Sequence, residues 1–210
     1  MRTDEGGYGY SAAGLNGSHA WLLPTVDSVL SGLRLRKDRR RVFELGCGNG
    51  AVAAHFTKHG YQVHGVDTSE EGIAIAKRHH PEIDLQKRSV YEPLADDFGQ
   101  FPVVLSLEVI EHLYFPRKLC QTAHDLLEPG GTLILSTPYH SYLKNLALAV
   151  TGRLDTHFTA LMDHGHIKFF SPRTLAEVLK EAGFAEISFS RVGRITPLAK
   201  SMIAVARRRR

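Results

Sequence analysis

Residues 44–50 read Glu-Leu-Gly-Cys-Gly-Asn-Gly and follow an apolar run that begins at Val42. A glycine-rich turn between a strand and a helix lets the backbone approach a ligand closely. A second apolar run, 63–66, ends at the acidic residue Asp67, seventeen residues beyond Gly50. A carboxylate at this spacing can accept hydrogen bonds from two ribose hydroxyls. Together the two features indicate a site for a nucleoside cofactor.

The spacing of the glycines narrows the choice of nucleoside. Dinucleotide-binding folds use Gly-x-Gly-x-x-Gly, in which the N-terminus of the following helix faces a pyrophosphate. This chain instead has Gly-x-Gly-x-Gly, with Glu44 just before it. A carboxylate beside the loop would repel a pyrophosphate, whereas it suits a ligand that carries an ammonium group. S-adenosylmethionine is such a ligand.

Further segments extend the pattern along the chain. Val66-Asp67 is followed by Ser-Leu-Glu-Val-Ile-Glu-His-Leu at 106–113 and by Leu-Leu-Glu-Pro-Gly-Gly-Thr-Leu at 126–133. With residues 44–50, their order and spacing resemble class I S-adenosylmethionine-dependent methyltransferases over roughly residues 42–206. The chain is most similar to small bacterial methyltransferases related to the ubiquinone-pathway O-methyltransferases, in which a Glu-His pair also follows the fourth strand. The resemblance implies that S-adenosylmethionine is the cofactor.

From Arg41 onward, short apolar strands alternate with helical stretches, which is typical of parallel βαβ units. Strands are predicted near 41–45, 62–67, 84–89, 103–107 and 132–136, and helices near 50–59, 69–79, 116–127 and 171–182. An antiparallel pair, 185–191 and 201–207, would complete the sheet. The predicted fold is α/β, a three-layer α/β/α sandwich around a seven-stranded, mostly parallel, Rossmann-like sheet.

Two segments lie outside this alternation. Residues 1–40 are predicted to form an N-terminal lid and a helix, since 21–35 has a helical apolar period. Residues 41–210 then form the methyltransferase domain, with an insertion at about 139–170. An insertion of this length in a compact domain indicates a function or disorder, and the apolar run 143–150 argues against disorder. We therefore predict a helical cap over the acceptor pocket.

The composition of the chain limits the number of domains, the cellular location and the kinds of partner that we expect. At 210 residues the chain fits one domain. It has no apolar stretch long enough for a bilayer and no signal-peptide core near its start, so we expect a cytoplasmic protein without a membrane partner. Cys47 and Cys120 are too few for a disulfide framework or a Cys-rich zinc site. The expected partner is a small-molecule acceptor, and a homodimer is compatible with the chain.

The charge balance does not favour nucleic acid as a partner. The formal charge of +4 equals the charge of Arg207–Arg210, so the remaining residues sum to zero. By this measure the chain lacks a basic nucleic-acid-binding body. The arginine run itself is interpreted as a solvated end.

The expected cofactor site collects residues at the ends of the first four strands. Gly46, Gly48 and Gly50 would provide the close backbone approach, and Asp67 the ribose contact. In many members of the resembled family an acid after the third strand contacts adenine, but this chain has Ser-Val-Tyr there, so we expect weaker adenine discrimination. The predicted cofactor-binding residues are Glu44, Gly46, Cys47, Gly48, Asn49, Gly50, Asp67, Thr68, Ser89, Val90, Tyr91, Leu107 and His112.

Methyl transfer to a neutral hydroxyl needs in-line placement of the acceptor and a base of near-neutral pKa, a role that suits histidine. His112 is the leading candidate by position, and His166, with His164 nearby, is second. Glu108 lies three residues before Glu111 and four before His112, which is one helical turn, so these side chains could bind a cation. Hard cations prefer more oxygen ligands than these two acids offer, so we predict no metal.

Aromatic and basic side chains near the predicted pocket suggest the kind of acceptor. The predicted substrate-binding residues are Tyr10, His140, Tyr142, His166 and Lys168. Cations among aromatics suit a carboxylate, phosphate or phosphonate, and a histidine base suits a phenol. The predicted function is O-methylation of a small acidic or phenolic metabolite, where the choice of oxygen rests on the resemblance. The alternatives are an RNA methyltransferase that uses Arg207–Arg210 and a non-catalytic cofactor-binding or partner-binding domain.

Overall fold

Seven strands form one sheet in the order β3-β2-β1-β4-β5-β7-β6 in a computed structural model, which describes residues 14–158, 160–163 and 165–210. The strands are β1 Arg41–Leu45, β2 Gln62–Asp67, β3 Asp84–Lys87, β4 Phe101–Leu107, β5 Leu127–Pro138, β6 Phe184–Val192 and β7 Ser201–Arg208. The pairs among β1 to β5 are parallel, whereas β7 runs antiparallel to β5 and β6. The predicted seven-stranded, mostly parallel sheet is confirmed.

Eight α-helices flank the sheet in the described part of the chain. They are α1 His19–Gly32, α2 Ala51–Lys58, α3 Glu70–His79, α4 Leu94–Phe98, α5 Pro116–Leu126, α6 Tyr142–Val150, α7 Leu154–Phe158 and α8 Pro172–Glu181. Single 3-10 turns occupy Lys37–Arg39, Ile110–His112 and Thr196–Leu198. None of the helices in the described ranges is long and apolar enough to cross a membrane. The predictions for cellular location and a homodimer stay predictions.

The core consists of two apolar layers, one on each face of the sheet. Adjacent residues of β1 and β4 point to opposite faces, so that Val42 and Val103 belong to one cluster and Phe43 and Val104 to the other. Every residue of β4 is buried. Burial on both faces is what central parallel strands require. This arrangement gives the predicted three layers.

Helix α1 belongs to one of these layers, since Leu22, Val26 and Leu30 are buried there. It begins at His19, two residues before the predicted start at 21, and ends at Gly32, before the predicted end at 35. Just ahead of it, the Gly14 carbonyl oxygen accepts a hydrogen bond from Asn49 Nδ2 (3.0 Å), so residue 14 lies against the glycine turn. Most of the predicted lid, residues 1–13, lies outside the described part of the chain. Tyr10 and His164 lie outside it as well.

Several strand boundaries differ from the predictions, and two of these differences have a clear physical reason. Strand β5 begins at Leu127, not near residue 132. The sequence Glu-Pro-Gly-Gly looks like a turn, but it belongs to the strand and pairs with β4 through an irregular register opposite Phe101 and Val103. Strand β3 ends at Lys87, opposite Asp67. It is an edge strand, and it stops where its single partner stops. Helix α4 is not apparent from the sequence periodicity, because it is only five residues long.

The cap of α3 offers a test of the local structure beside Asp67. Ser69 is buried, and its Oγ accepts a hydrogen bond from the Gly72 amide (3.0 Å) at the start of the helix. We expect Ser69→Ala to lower the free energy of unfolding by about 1 kcal/mol, because the amide loses its partner. Urea denaturation measures the change, with the exposed Ser31→Ala in α1 as the control. Equal free energies of unfolding of the two variants would contradict the role of Ser69 as the cap of α3.

Candidate active site

The glycine turn after β1 adopts a conformation that only glycine enters easily. Gly46, Gly48 and Gly50 have φ angles of 82°, 50° and 76°. The amides of Gly46 and Cys47 both donate to the Val66 carbonyl oxygen, at 2.8 and 3.0 Å, and this ties the turn to the end of β2. A Cβ atom on Gly46 would lie 2.4 Å from a methyl group of Val109. The loop therefore has no room for a side chain at this position.

Asp67 lies at the end of β2 beside this turn. Its Oδ2 accepts from the Gly48 amide and its Oδ1 from the Ser69 amide, each at 2.8 Å. A carboxylate oxygen has more than one acceptor site, so these contacts fix the side chain while leaving it able to accept further donors. Burial raises the pKa of Asp67, and the amides of Ser69, Gly48 and Thr68 oppose the shift. Asp67 and the predicted glycines thus come together.

Glu44 lies in the same region, and it is 2% exposed. Its Oε2 is buried without a hydrogen-bond partner among the described residues. Burial, with a smaller effect from the charge of Asp67, raises its pKa to about 8. An ammonium group would satisfy this oxygen and favour the ionised form. The amino group of S-adenosylmethionine fits this requirement.

Cys47 and Asn49 shape the turn. Burial raises the pKa of the Cys47 thiol well above its ordinary value, which leaves it unreactive. A Cβ on Gly65 of β2 would lie 3.0 Å from the Cys47 Cβ, so the glycine turn packs closely against β2 here. Asn49 Oδ1 accepts from the Ala51 amide (3.2 Å) at the start of α2. Both residues support the loop conformation.

The raised pKa of Glu44 has a consequence for stability. The unfolded side chain releases its proton near its usual pKa of 4.5 and the folded one near 8, so the folded state holds the extra proton between these values. Stability therefore falls as pH rises through this window. We expect Glu44→Gln to remove roughly 1–3 kcal/mol of this dependence in the cofactor-free protein. Urea denaturation at pH 5 and 8 measures it, with Glu71→Gln as control, and unchanged dependence would contradict the burial of Glu44.

The residues after β3 form a tight turn. The Ser89 amide donates to Glu92 Oε1 (2.6 Å), and the Tyr91 amide donates to Ser89 Oγ (3.2 Å). The Tyr91 hydroxyl accepts from the Phe115 amide (3.2 Å), so this side chain reaches the loop before α5. Val90 is buried. Glu92, which the sequence analysis did not single out, supplies the carboxylate of this turn.

The end of β4 carries a network that the sequence analysis missed. Leu107 is buried, and the next residue, Glu108, has a left-handed φ of 55°, which is strained for a residue other than glycine. Its carboxylate accepts from Ser136 Oγ (2.7 Å) and Ser201 Oγ (3.2 Å), and Ser201 in turn accepts from Trp21 Nε1 (3.3 Å). Burial raises the pKa of Glu108 to about 7. These partners become visible only once β5, β7 and α1 are placed around β4.

Glu111, His112 and His166 come together beyond β4. Each offers a ligand atom within 4.8 Å of the others, and the two imidazole rings are 4.9 Å apart. Glu111 is buried, and burial together with the charge of Glu108 raises its pKa well above the usual value. One carboxylate and two imidazoles would suit zinc or a similar transition ion better than Mg²⁺. The prediction that no metal binds stays a prediction.

The cap segment is attached directly to this cluster. The Glu111 carbonyl oxygen accepts from the amides of Ile167 and Lys168, both at 2.9 Å. His112 Nδ1 lies 3.3 Å from the Gly165 carbonyl oxygen, to which it can donate. Desolvation of the ring, followed by the proximity of His112 and His157, lowers the pKa of His166 to about 4. A base with so low a pKa takes up a proton poorly at neutral pH, which argues against His166 as the proton acceptor.

The other predicted acceptor contacts are more scattered. His140 is buried among the rings of His157, Phe158 and Phe169, and burial lowers its pKa to about 4. Tyr142, on α6, is 80% exposed. The Lys168 backbone is fixed by Glu111 as described above. The structure thus brings His112 and His166 together, whereas Tyr142 is largely exposed.

The sheet order and the residues at the ends of β1 and β2 define a class I S-adenosylmethionine-dependent methyltransferase. The chain belongs to the family described as the methyltransferase domain, whose model matches residues 25–188. This membership confirms the predicted class and the predicted methyl donor.

Relatives and solved structures agree with this assignment. The chain is 32% identical over 151 residues to the ubiquinone biosynthesis O-methyltransferase of Ruegeria pomeroyi, and this alignment covers 70% of this chain and 60% of that protein. It is 30% identical over 169 residues to the protein of the same name from Burkholderia pseudomallei strain 1710b, covering 77% and 71%. The structure of magnesium protoporphyrin IX methyltransferase from Synechocystis PCC 6803 with bound S-adenosylhomocysteine matches with a TM-score of 0.65 at 20% identity, over 88% of this chain and 82% of that one. That likeness shows the fold alone.

Proposed function

We propose that the chain transfers a methyl group from S-adenosylmethionine to an oxygen atom of a small phenolic or acidic metabolite. The observation that carries the proposal is the His112 imidazole at the end of β4, beside Glu111 and His166. The relatives named O-methyltransferase support oxygen as the accepting atom, although the chain spans only about three-fifths of the Ruegeria protein.

The donor would be held by residues at the ends of β1 and β2. The amides of the glycine turn and the Asp67 carboxylate would bind the adenosine, and Glu44 would face the amino group. When bound, the donor supplies a methyl group already activated by a positively charged sulfur. The residues of the chain therefore need only to position the acceptor, exclude water and accept one proton.

His112 is proposed as the group that accepts this proton. Donation from its Nδ1 to the Gly165 carbonyl oxygen would fix the neutral tautomer in which Nε2 is the basic atom. The contact also couples the base to the segment that carries His166. The hydroxyl of the acceptor would lose its proton to Nε2 as its oxygen forms a bond to the methyl carbon, and the bond from that carbon to sulfur would break with S-adenosylhomocysteine as the leaving group.

The wall of the site favours a phenolic acceptor over an anionic one. Glu108 and Glu111 lie next to the proposed base, and the burial that raises the pKa of both carboxyl groups disfavours any negative charge there, so a carboxylate or phosphate beside them would bear the same desolvation cost. A phenol is neutral before it loses its proton, so it avoids this cost. Tyr10, His140, Tyr142, His166 and Lys168 stay as proposed contacts to the acceptor.

A panel of acceptors tests the proposal. The chain is incubated with methyl-labelled S-adenosylmethionine and matched phenols, benzoates and phosphate monoesters, and mass spectrometry identifies the methylated atom. We expect O-methylated phenols to dominate. The proposal would be overturned by N-methylated or C-methylated products. It would also be overturned if the chain binds S-adenosylhomocysteine tightly but methylates none of the acceptors.

A further inference from the structure

Two basic runs lie at the edge of the sheet opposite the candidate active site. Residues 34–41 contain six basic side chains and one acid, and residues 207–210 are four arginines. These twelve residues carry a charge of +9, whereas the whole chain carries +4, so the other 198 residues carry −5. The total charge therefore hides a strong concentration of positive charge in these two segments. We name residues 34–41 and 207–210 the basic face.

The fold brings the two runs against the same turn. The first run ends where β1 begins and the second where antiparallel β7 ends, so both lie at the amino ends of the parallel strands. Arg39 pairs with Glu128, at the start of β5. Arg207 Nη1 donates to the Gly130 carbonyl oxygen (3.1 Å), and a Cβ on Gly130 would lie 3.6 Å from the side chain of Arg210. The basic face is thus continuous across residues 128–130.

Little negative charge offsets this face. Its own acid, Asp38, pairs with Arg36, and the adjoining Glu128 pairs with Arg39. Nine of its ten basic residues are arginines, whose planar guanidinium groups bind phosphate oxygens in pairs. Most of these side chains are exposed. The face therefore has the chemistry of a surface for a phosphate polymer.

A cavity of about 420 Å³ opens beside the first run. Arg34, Arg40, His59 and Tyr61 line it, as does the acid Asp27, whose carboxylate contacts His55. The Arg40 guanidinium lies 5.8 Å from the centre of the Tyr61 ring. Arg34 has a left-handed φ of 48°, which turns the chain sharply after α1. Aromatic rings and guanidinium planes are the groups on which unpaired bases stack. The cavity thus adds a place for a base to the phosphate-binding surface.

We propose that the basic face binds single-stranded nucleic acid through its phosphates, with one base stacked in the cavity. Docking onto a membrane is less well supported, because residues 33–41 and 205–210, all within the described chain, expose no large apolar side chain. The face lies at the opposite edge from His112 and Asp67, so the bound strand is a tether and not the methyl acceptor. A net charge taken over the whole chain averages over this surface, and the prediction that nucleic acid is not a partner stays a prediction.

Fluorescence anisotropy of a labelled, unstructured 20-nucleotide RNA with the full chain tests the proposal at several salt concentrations. The variant Arg36→Ser/Lys37→Ser/Arg209→Ser/Arg210→Ser removes four exposed cations of the face. We expect its Kd to rise about tenfold or more at 0.1 M salt, and the slope of log K against log salt to fall in magnitude by about 2 to 3. The control Lys118→Ser/Arg153→Ser/Arg173→Ser/Lys180→Ser removes four exposed cations elsewhere and should bind within about twofold of the wild type.

A second variant probes the cavity. Tyr61→Leu keeps the bulk of the side chain and removes the stacking ring, so we expect weaker binding of the single strand and little change for a duplex. Circular dichroism melting confirms that each variant is folded. The proposal would be overturned if the wild type fails to bind RNA at 50 mM salt, or if the two quadruple variants lose the same RNA affinity. Binding to anionic phosphatidylglycerol vesicles without binding to RNA would also overturn it. No methyl transfer is measured, so the outcome is independent of the proposed function.

Discussion

Replacing His112 by Ala should lower kcat for the phenolic acceptor by about 10²–10⁴-fold, because the acceptor hydroxyl loses the group that takes its proton. The affinity for S-adenosylhomocysteine should change little if His112 acts on the acceptor. The measurements are steady-state kinetics and calorimetry on the same preparation. His79→Ala, which removes an exposed histidine of α3, is the matched control.

The comparison with His166 sharpens this test. His166→Ala should cost less than His112→Ala, because the low pKa of His166 makes it a poor proton acceptor at neutral pH. Equal losses of kcat and of cofactor affinity in His112→Ala would instead make His112 a cofactor-pocket residue.

Replacing Asp67 by Ala should weaken the binding of S-adenosylhomocysteine by roughly 1–3 kcal/mol, through loss of a charged hydrogen-bond acceptor. The variant also leaves the amides of Gly48 and Ser69 without their partner, so the glycine turn becomes less ordered. Calorimetry measures the affinity, with Asp96→Ala, an exposed acid of α4, as the control. An unchanged affinity in Asp67→Ala would remove this residue from the cofactor site.

The fold was largely predictable from local patterns. β1 and β2 have the predicted limits, because short apolar runs flanked by glycines and acids leave little freedom in where a buried strand starts and ends. The start of β5 was not predictable. Gly130 and Gly131 resemble a turn, and only pairing with β4 reveals that the backbone enters the sheet there.

The site was predictable only where its residues adjoin in sequence. The glycine turn and Asp67 follow consecutive strands, so their meeting follows from the parallel topology. The contacts of Glu108 with Ser136 and Ser201 join residues 28 and 93 positions apart, and no periodicity signals them. The basic face was hidden for the same reason, since residues 34–41 and 207–210 meet only after β5 and β7 pair.

A crystal structure of the chain with S-adenosylhomocysteine tests the central claim most directly. We expect electron density for the ligand at the ends of β1 and β2, with the ribose hydroxyls within hydrogen-bond distance of Asp67 and the amino group facing Glu44. A saturating soak that leaves this region without ligand density, or that places the ligand elsewhere, would contradict the claim.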